Sequence, residues 1–170
     1  MAINNDRRNP YQHWLIIVIV LTIVVLDQVS KYAIRTNFEL YESVTVIVGS
    51  FNLTYIENTG AAFGLLSNVS FPFKTTILAL AATIALLFIA FYMVTLPSSQ
   101  WIARTGLSCI LGGAIGNLID RITTGAVVDF IDLYWRGWHF WAFNVADTAI
   151  TVGVIIMIID LFWTGKHRAS

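Results

Sequence analysis

Residues 77–96 read ILALAATIALLFIAFYMVTL, twenty positions without a charge, and Pro97 closes the run. The apolar core of a bilayer needs about 20 such residues when they form a helix. The stretch is therefore a membrane span, and the whole chain agrees with it. Of its 170 residues 57% are hydrophobic and 12% charged, against roughly 45–50% and 25% in ordinary soluble domains.

Outward from this helix the same criterion predicts four spans, at about 14–33, 75–96, 101–120 and 142–163, in a single membrane domain over 1–170. The first starts at Trp14, the third contains Arg104 and is rich in glycine, and the fourth carries Asp147 and Asp160 near its ends. Arg7 and Arg8 precede the first apolar run as they would in a signal peptide, but no small-residue cleavage site follows. The run continues into Asp27-Gln28-Val29-Ser30-Lys31, so it reads as a retained span. Four spans put both termini on one side. Arg7, Arg8, Arg104, Lys166 and Arg168 fall on that side, against Lys31, Arg35, Lys74, Arg121 and Arg136 on the other. If Lys31 and Arg121 are paired with nearby acids, the remaining cations favour cytoplasmic termini.

The connections on the far side are the informative ones. In the segment at about 36–70, residues 44–48 and 51–56 are β-rich and flank Gly49-Ser50, which predicts a hairpin with a two-residue turn. In the loop at about 121–141, Val127-Val128-Asp129-Phe130-Ile131-Asp132-Leu133 is apolar apart from two acids, and Trp135, Trp138 and Trp141 suit an interfacial aromatic belt. The expected fold is an all-α membrane protein of four helices, with a small β-rich cradle between the first and second. The tails, residues 1–12 and 166–170, read as short mobile ends.

Several function classes drop out on composition. Ten cations balance ten acids, so there is no basic footprint for nucleic acid. A single cysteine, Cys109, and three scattered histidines (His13, His139, His167) argue against a metal site, a cofactor or thiol chemistry. Chemistry here must come from carboxylates, amides and hydroxyls.

Ionisable residues inside a membrane are costly and mark pairing or function. Asp27 and Lys31, then Asn117, Asp120 and Arg121, then Asn144 and Asp147 each share one helix face, and all seven lie toward the same leaflet. Asp27–Lys31 reads first as an ion pair that seats a helix end, and Asp120 beside Arg121 as a similar one. Gly112-x-x-x-Gly116 reads as a close-packing surface, Cys109 as a small packed residue, and Glu39, Glu42 and Glu57 as solvated. Asp129 and Asp147 fit such roles less well, because neither has a basic neighbour one helical turn away. Two carboxylates close together in a poorly hydrated site would hold one proton between them, which is the arrangement of an aspartic dyad. Spacing alone does not choose between Asp129 and Asp132. A proton channel or small transporter, and a non-enzymatic assembly protein, are the alternatives on the same residues, although the opposite leaflet holds only Arg104 and Asp160.

Five ordered motifs resemble a known family, the lipoprotein signal peptidases, or signal peptidase II. They are residues 26–31 (LDQVSK), 58–64 (NTGAAFG), 116–121 (GNLIDR), 127–132 (VVDFID) and 142–149 (AFNVADTA). The resemblance implies a membrane aspartic endopeptidase with Asp129 and Asp147 as its catalytic pair. Asn58, Asn117, Arg121 and Asn144 would contact substrate or hold the aspartates, and Asp27, Lys31 and Asp120 would give structural support. It implies neither cofactor nor metal, no nucleic-acid partner, and a monomer among membrane lipids in the bacterial cytoplasmic membrane, with the active site near the extracytoplasmic face. The substrates would be prolipoproteins carrying a diacylglyceryl-modified cysteine, cut immediately before that cysteine. One departure is Trp141, where many relatives have proline.

Overall fold

A computed structural model of the protein describes residues 10–60, 69 and 71–168. The elements, in order, are α1 (Pro10–Asn37), β1 (Ser43–Ile47), β2 (Phe51–Asn58), α2 (Lys74–Thr95), α3 (Trp101–Thr123), β3 (Val127–Trp135), β4 (Trp138–His139) and α4 (Val145–Arg168). Among the described residues four helices are long and apolar enough to cross a membrane. They turn large side chains outward, such as Leu80, Ile84, Phe88 and Phe91 on α2 and Leu161 and Phe162 on α4. The protein is a multi-pass membrane protein. Residues 1–9 and 169–170, including Arg7 and Arg8, lie outside the described residues, whereas residues 10–12 and 166–168 continue α1 and α4 instead of forming loose tails.

Helix α3 is the hub, packing against α1, α2 and α4. Its glycines make this possible. Gly106 and Gly153 of α4 lie against each other's backbone carbonyls, Gly112 sits on Ile23 of α1, and Gly113 lies against the Ala146 carbonyl. Apolar burial gives little drive between helices in lipid, so close backbone approach of this kind is what holds them together. Arg104, the charge in the third span, is buried and donates to the Leu96 carbonyl (3.3 Å), satisfying an orphan acceptor at the end of α2.

One end of the bundle carries a four-stranded antiparallel sheet in the order β1-β2-β3-β4. The expected hairpin is there, with a correction to its turn. Ile47 pairs with Phe51, which leaves Val48, Gly49 and Ser50 in the turn, and Gly49 takes φ +85°. A three-residue turn with glycine in the left-handed region matches the twist of the flanking strands. The sheet is also larger than expected. The stretch read as a loop over 121–141 supplies β3, which pairs with β2 from Phe51↔Leu133 to Asn58↔Val127, and then β4.

Within β3 the amides of Phe130 and Ile131 both donate to the Phe143 carbonyl (2.9 and 2.8 Å). This is a bulge, and it turns both side chains into a cluster with Ile34, Val128, Leu53 and Val145 that fastens the sheet to the ends of α1 and α4. Asp129 and Asp132, on either side of the bulge, face cavities instead. The fourth helix starts at Val145, three residues after the position expected, because Phe143 is bridged to Ile131.

Gly113→Ala should lower stability by about 1–3 kcal/mol, the range for overpacking, since the added methyl group meets the Ala146 carbonyl. Thermal unfolding of the purified variant in detergent measures it.

Candidate active site

Helix spacing places Asp27 and Lys31 on one face of α1, and their pairing is the root of the site. The Lys31 Nζ lies 2.8 Å from Asp27 Oδ2 and 3.0 Å from Asp120 Oδ2, with all three side chains fully buried. The same ammonium donates to Asn117 Oδ1 (2.9 Å). One cation thus serves two acids, and Arg35 supplies the second, 3.2 Å from Asp120 Oδ1. Gln28 Nε2 joins Asp27, Asp120 and the Gly116 carbonyl at 3.1–3.3 Å. The expected partnership of Asp120 with Arg121 is not formed. Arg121 donates to the carbonyls of Asn117 and Gly60 (3.3 Å each), because neighbours in a helix point about 100° apart.

The two acids of this cluster each hold a backbone amide. Asp120 Oδ2 accepts from Val128 (3.2 Å), at the start of β3, and Asp27 Oδ1 accepts from Ala146 (2.9 Å), at the start of α4. The residues that follow are Asp129 and Asp147. Asn144 then connects these two. Its Oδ1 accepts from the Asp147 amide (2.9 Å) while Asp147 Oδ2 accepts from the Asn144 amide (3.3 Å), a reciprocal cap on α4. Its Nδ2 donates to Asp129 Oδ1 (2.8 Å) and to the Val128 carbonyl (3.1 Å). Asn117 Nδ2 donates to Asp147 Oδ1 (2.8 Å) and Asn58 Nδ2 to Asp129 Oδ2 (3.1 Å).

Both aspartates line a cavity of about 480 Å³, together with Asn58, Asn117, Arg121, Val127, residues 140–143, Thr148 and residues 150–152. Along α4, beyond Asp147, its wall combines Ile150 and Val152 with the hydroxyl-bearing Thr148 and Thr151. Asp129 is 4% exposed, and burial pushes its carboxyl up to about 7, aided by the charge of Asp147 and opposed by the amides of Asn58 and Asn144. This is an arrangement in which one of two neighbouring carboxyls carries a proton at neutral pH and water has room to enter.

The nine residues singled out from the sequence therefore meet in one connected network. Asp132 is the candidate that stands apart, bonded to Asn52 Nδ2 (3.0 Å) and His139 Nδ1 (2.9 Å). No local pattern points to Asn52, whose role depends on lying opposite Asp132 across the β2/β3 pairing. Arg35 and Gln28 were also missed, although their spacing from Lys31 was a usable signal. Thr148 and Thr151 line the cavity one turn from Asp147 and its neighbours. Residues 61–64 of the Asn58 motif lie outside the described residues.

The family model for signal peptidase (SPase) II matches residues 19–163. The chain belongs to the signal peptidase II family. Among its relatives is the lipoprotein signal peptidase of Geobacter sulfurreducens, 44% identical over 132 residues that cover 78% of this chain and 81% of that protein. Another is that of Moorella thermoacetica, 46% identical over 134 residues, covering 79% and 83%. A solved structure described as a bacterial membrane enzyme superposes with a TM-score of 0.79 at 35% identity, covering 91% of each chain. Membership of signal peptidase II makes the chain a peptidase and sets aside the transport and assembly alternatives.

Lys31→Met should destabilise this signal peptidase by about 3–5 kcal/mol, because it leaves two buried carboxylates without their shared cation. Thermal unfolding against the wild type gives the difference.

Proposed function

We propose that this peptidase removes the signal peptide of a prolipoprotein by hydrolysing the peptide bond immediately before a cysteine that already carries a diacylglyceryl group, with Asp129 and Asp147 as its catalytic pair. The observation that carries this is the buried Asn144 side chain, bonded to Asp129 through Nδ2 and to the Asp147 amide through Oδ1, behind a cavity that both acids line.

In this mechanism Asp129 begins protonated and Asp147 ionised. A water between them gives a proton to Asp147 and attacks the scissile carbonyl carbon, while Asp129 protonates the carbonyl oxygen. The resulting gem-diol collapses as Asp147 passes its proton to the departing nitrogen. The C–N bond breaks, Asp129 recovers a proton from a hydroxyl, and the products are a carboxyl terminus on the signal peptide and an amine on the cysteine. Asn58 and Asn117 hold the two acids and offer amides to an extended peptide. Arg121 sits at the cavity wall as the nearby cation.

The substrate's own chemistry fits the two sides of this site. Ile150 and Val152 on α4, with Phe140 and Phe143, give the cavity apolar surface that suits a signal helix or acyl chains arriving through the lipid. Trp135, Trp138 and Trp141 are exposed at the sheet end of the bundle, where an aromatic belt marks a membrane surface. We place that end on the extracytoplasmic side of the bacterial cytoplasmic membrane, with both termini in the cytoplasm. Every group used in the mechanism comes from one chain, so a monomer suffices.

Incubating the purified protein in lipid with a prolipoprotein, with and without diacylglyceryl modification, tests this by mass spectrometry of the released peptide. The expected result is a cut only before the modified cysteine, with turnover reduced by at least about 10²–10⁴-fold in Asp129→Asn and in Asp147→Asn. Substantial cleavage by either variant would sink the pair. The pH profile gives a second check. Because Asp129 must start protonated and titrates near 7, kcat/KM should fall as the pH rises through that value. Asn58→Ala removes a donor that favours the ionised form, so it should move this fall to higher pH.

A further inference from the structure

Beside the cavity that holds Asp129 and Asp147 lies a second one of about 340 Å³, bounded by Thr54 and Ile56 of β2, Asp132 of β3, His139 of β4 and residues 140–142. Residues 140–142 also wall the first cavity, so the two are neighbours across a shared partition. Among the described residues no helix contributes to the second, whereas the first takes a large part of its lining from α3 and α4.

The polar groups of this second cavity are held in place. Asp132 is 8% exposed and accepts from Asn52 Nδ2 (3.0 Å). The His139 Nδ1 lies 2.9 Å from its Oδ1, and the ring stacks on Tyr134 with centroids 5.0 Å apart. Tyr134 is itself fixed through its hydroxyl, which accepts from the Gly49 amide (2.9 Å). A carboxylate only accepts hydrogen bonds, so Nδ1 carries the hydrogen, and Nε2 of a neutral ring is left with a lone pair. Asp132 and His139 therefore both present acceptors. Opposite the apolar lining of Ile56, Phe140, Trp141 and Ala142, this side of the cavity is matched by a group that brings donors.

The part of the proposed substrate that can bring donor side chains to this end of the molecule is the chain beyond the lipidated cysteine. The substrate's signal helix and its acyl chains stay in the lipid, beside the helices. The chain beyond the lipidated cysteine is the part that leaves the membrane, and at the sheet end it meets a cavity made from strands. We propose that this cavity is a subsite for the residue one or two positions beyond the lipidated cysteine, with Asp132 and His139 selecting cationic side chains over acidic ones. It rests on the activity proposed above.

The test uses prolipoproteins that differ only at those two positions, carrying lysine, serine or glutamate, with kcat/KM measured for each. The wild type should favour lysine over glutamate by about tenfold, with serine between, and most of the difference should lie in KM. Asp132→Asn should bring the ratio close to one. His139→Phe, which keeps the stack on Tyr134 and loses the acceptor, should reduce it, and this variant serves if the first folds poorly. Glu42→Gln removes an exposed acid just before β1 and outside the cavity and should leave the ratio as it was. No preference in the wild type, a preference that survives in both cavity variants, or an equal fall in Glu42→Gln would overturn the subsite while leaving the peptidase activity in place. Failure of the wild type to cut any of the three would count against the proposed activity itself, and the subsite would fall with it.

Discussion

One ammonium group between two buried carboxylates is the constraint on which the rest of this structure depends. Lys31 neutralises Asp27 and Asp120, and those acids in turn accept from the Ala146 amide in the first turn of α4 and the Val128 amide near the start of β3. The starts of β3 and α4 are thereby set against the same ammonium group of α1, one through Asp120 of α3 and the other through Asp27. A buried ion pair gives weak net stabilisation, because desolvation consumes much of the Coulomb attraction. What it supplies here is direction, since a charged acceptor at hydrogen-bond distance fixes where each amide must sit.

The bundle around that point divides into two kinds of surface. Toward the far end α3 meets its neighbours through glycines and methyl groups, and Arg104 closes the end of α2. Toward the sheet end the same helices meet through amides and carboxylates. The sheet adds a third layer, anchored by the bulge at Phe130 and Ile131, and this places Asp129 and Asp132 over different cavities. Membrane, polar network and sheet are stacked in that order, which matches a substrate that is apolar at one end and polar at the other.

The helices were legible in the sequence because length and hydropathy measure the bilayer directly. So was the gathering of Asp27, Lys31, Asn117, Asp120, Asn144 and Asp147, which helical spacing puts on inward faces. Strand β3 was not legible as a strand, since its two acids interrupt an apolar run and its partner β2 lies about 75 residues earlier. For the same reason the distinction between Asp129 and Asp132 rested on family resemblance alone. Their separation follows from a bulge opposite Phe143, a feature no local pattern announces. Arg121 lines the cavity as expected but does not pair with Asp120, because adjacency in a helix is not proximity and the turn carries its side chain toward Gly60.

The cap on α4 has a consequence for how this site can change. Asn144 and Asp147 complete each other's hydrogen bonds at the helix start, and both also face Asp129 or its cavity. A residue that both caps a helix and lines the cavity, as Asp147 does, cannot drift to evade an inhibitor bound there without loosening its own support. Escape is left to the apolar wall, at positions such as Phe140, Ile150 and Val152, where side chains can change size without unfastening a helix. A compound that draws its affinity from the polar floor would leave the lineage few routes around it.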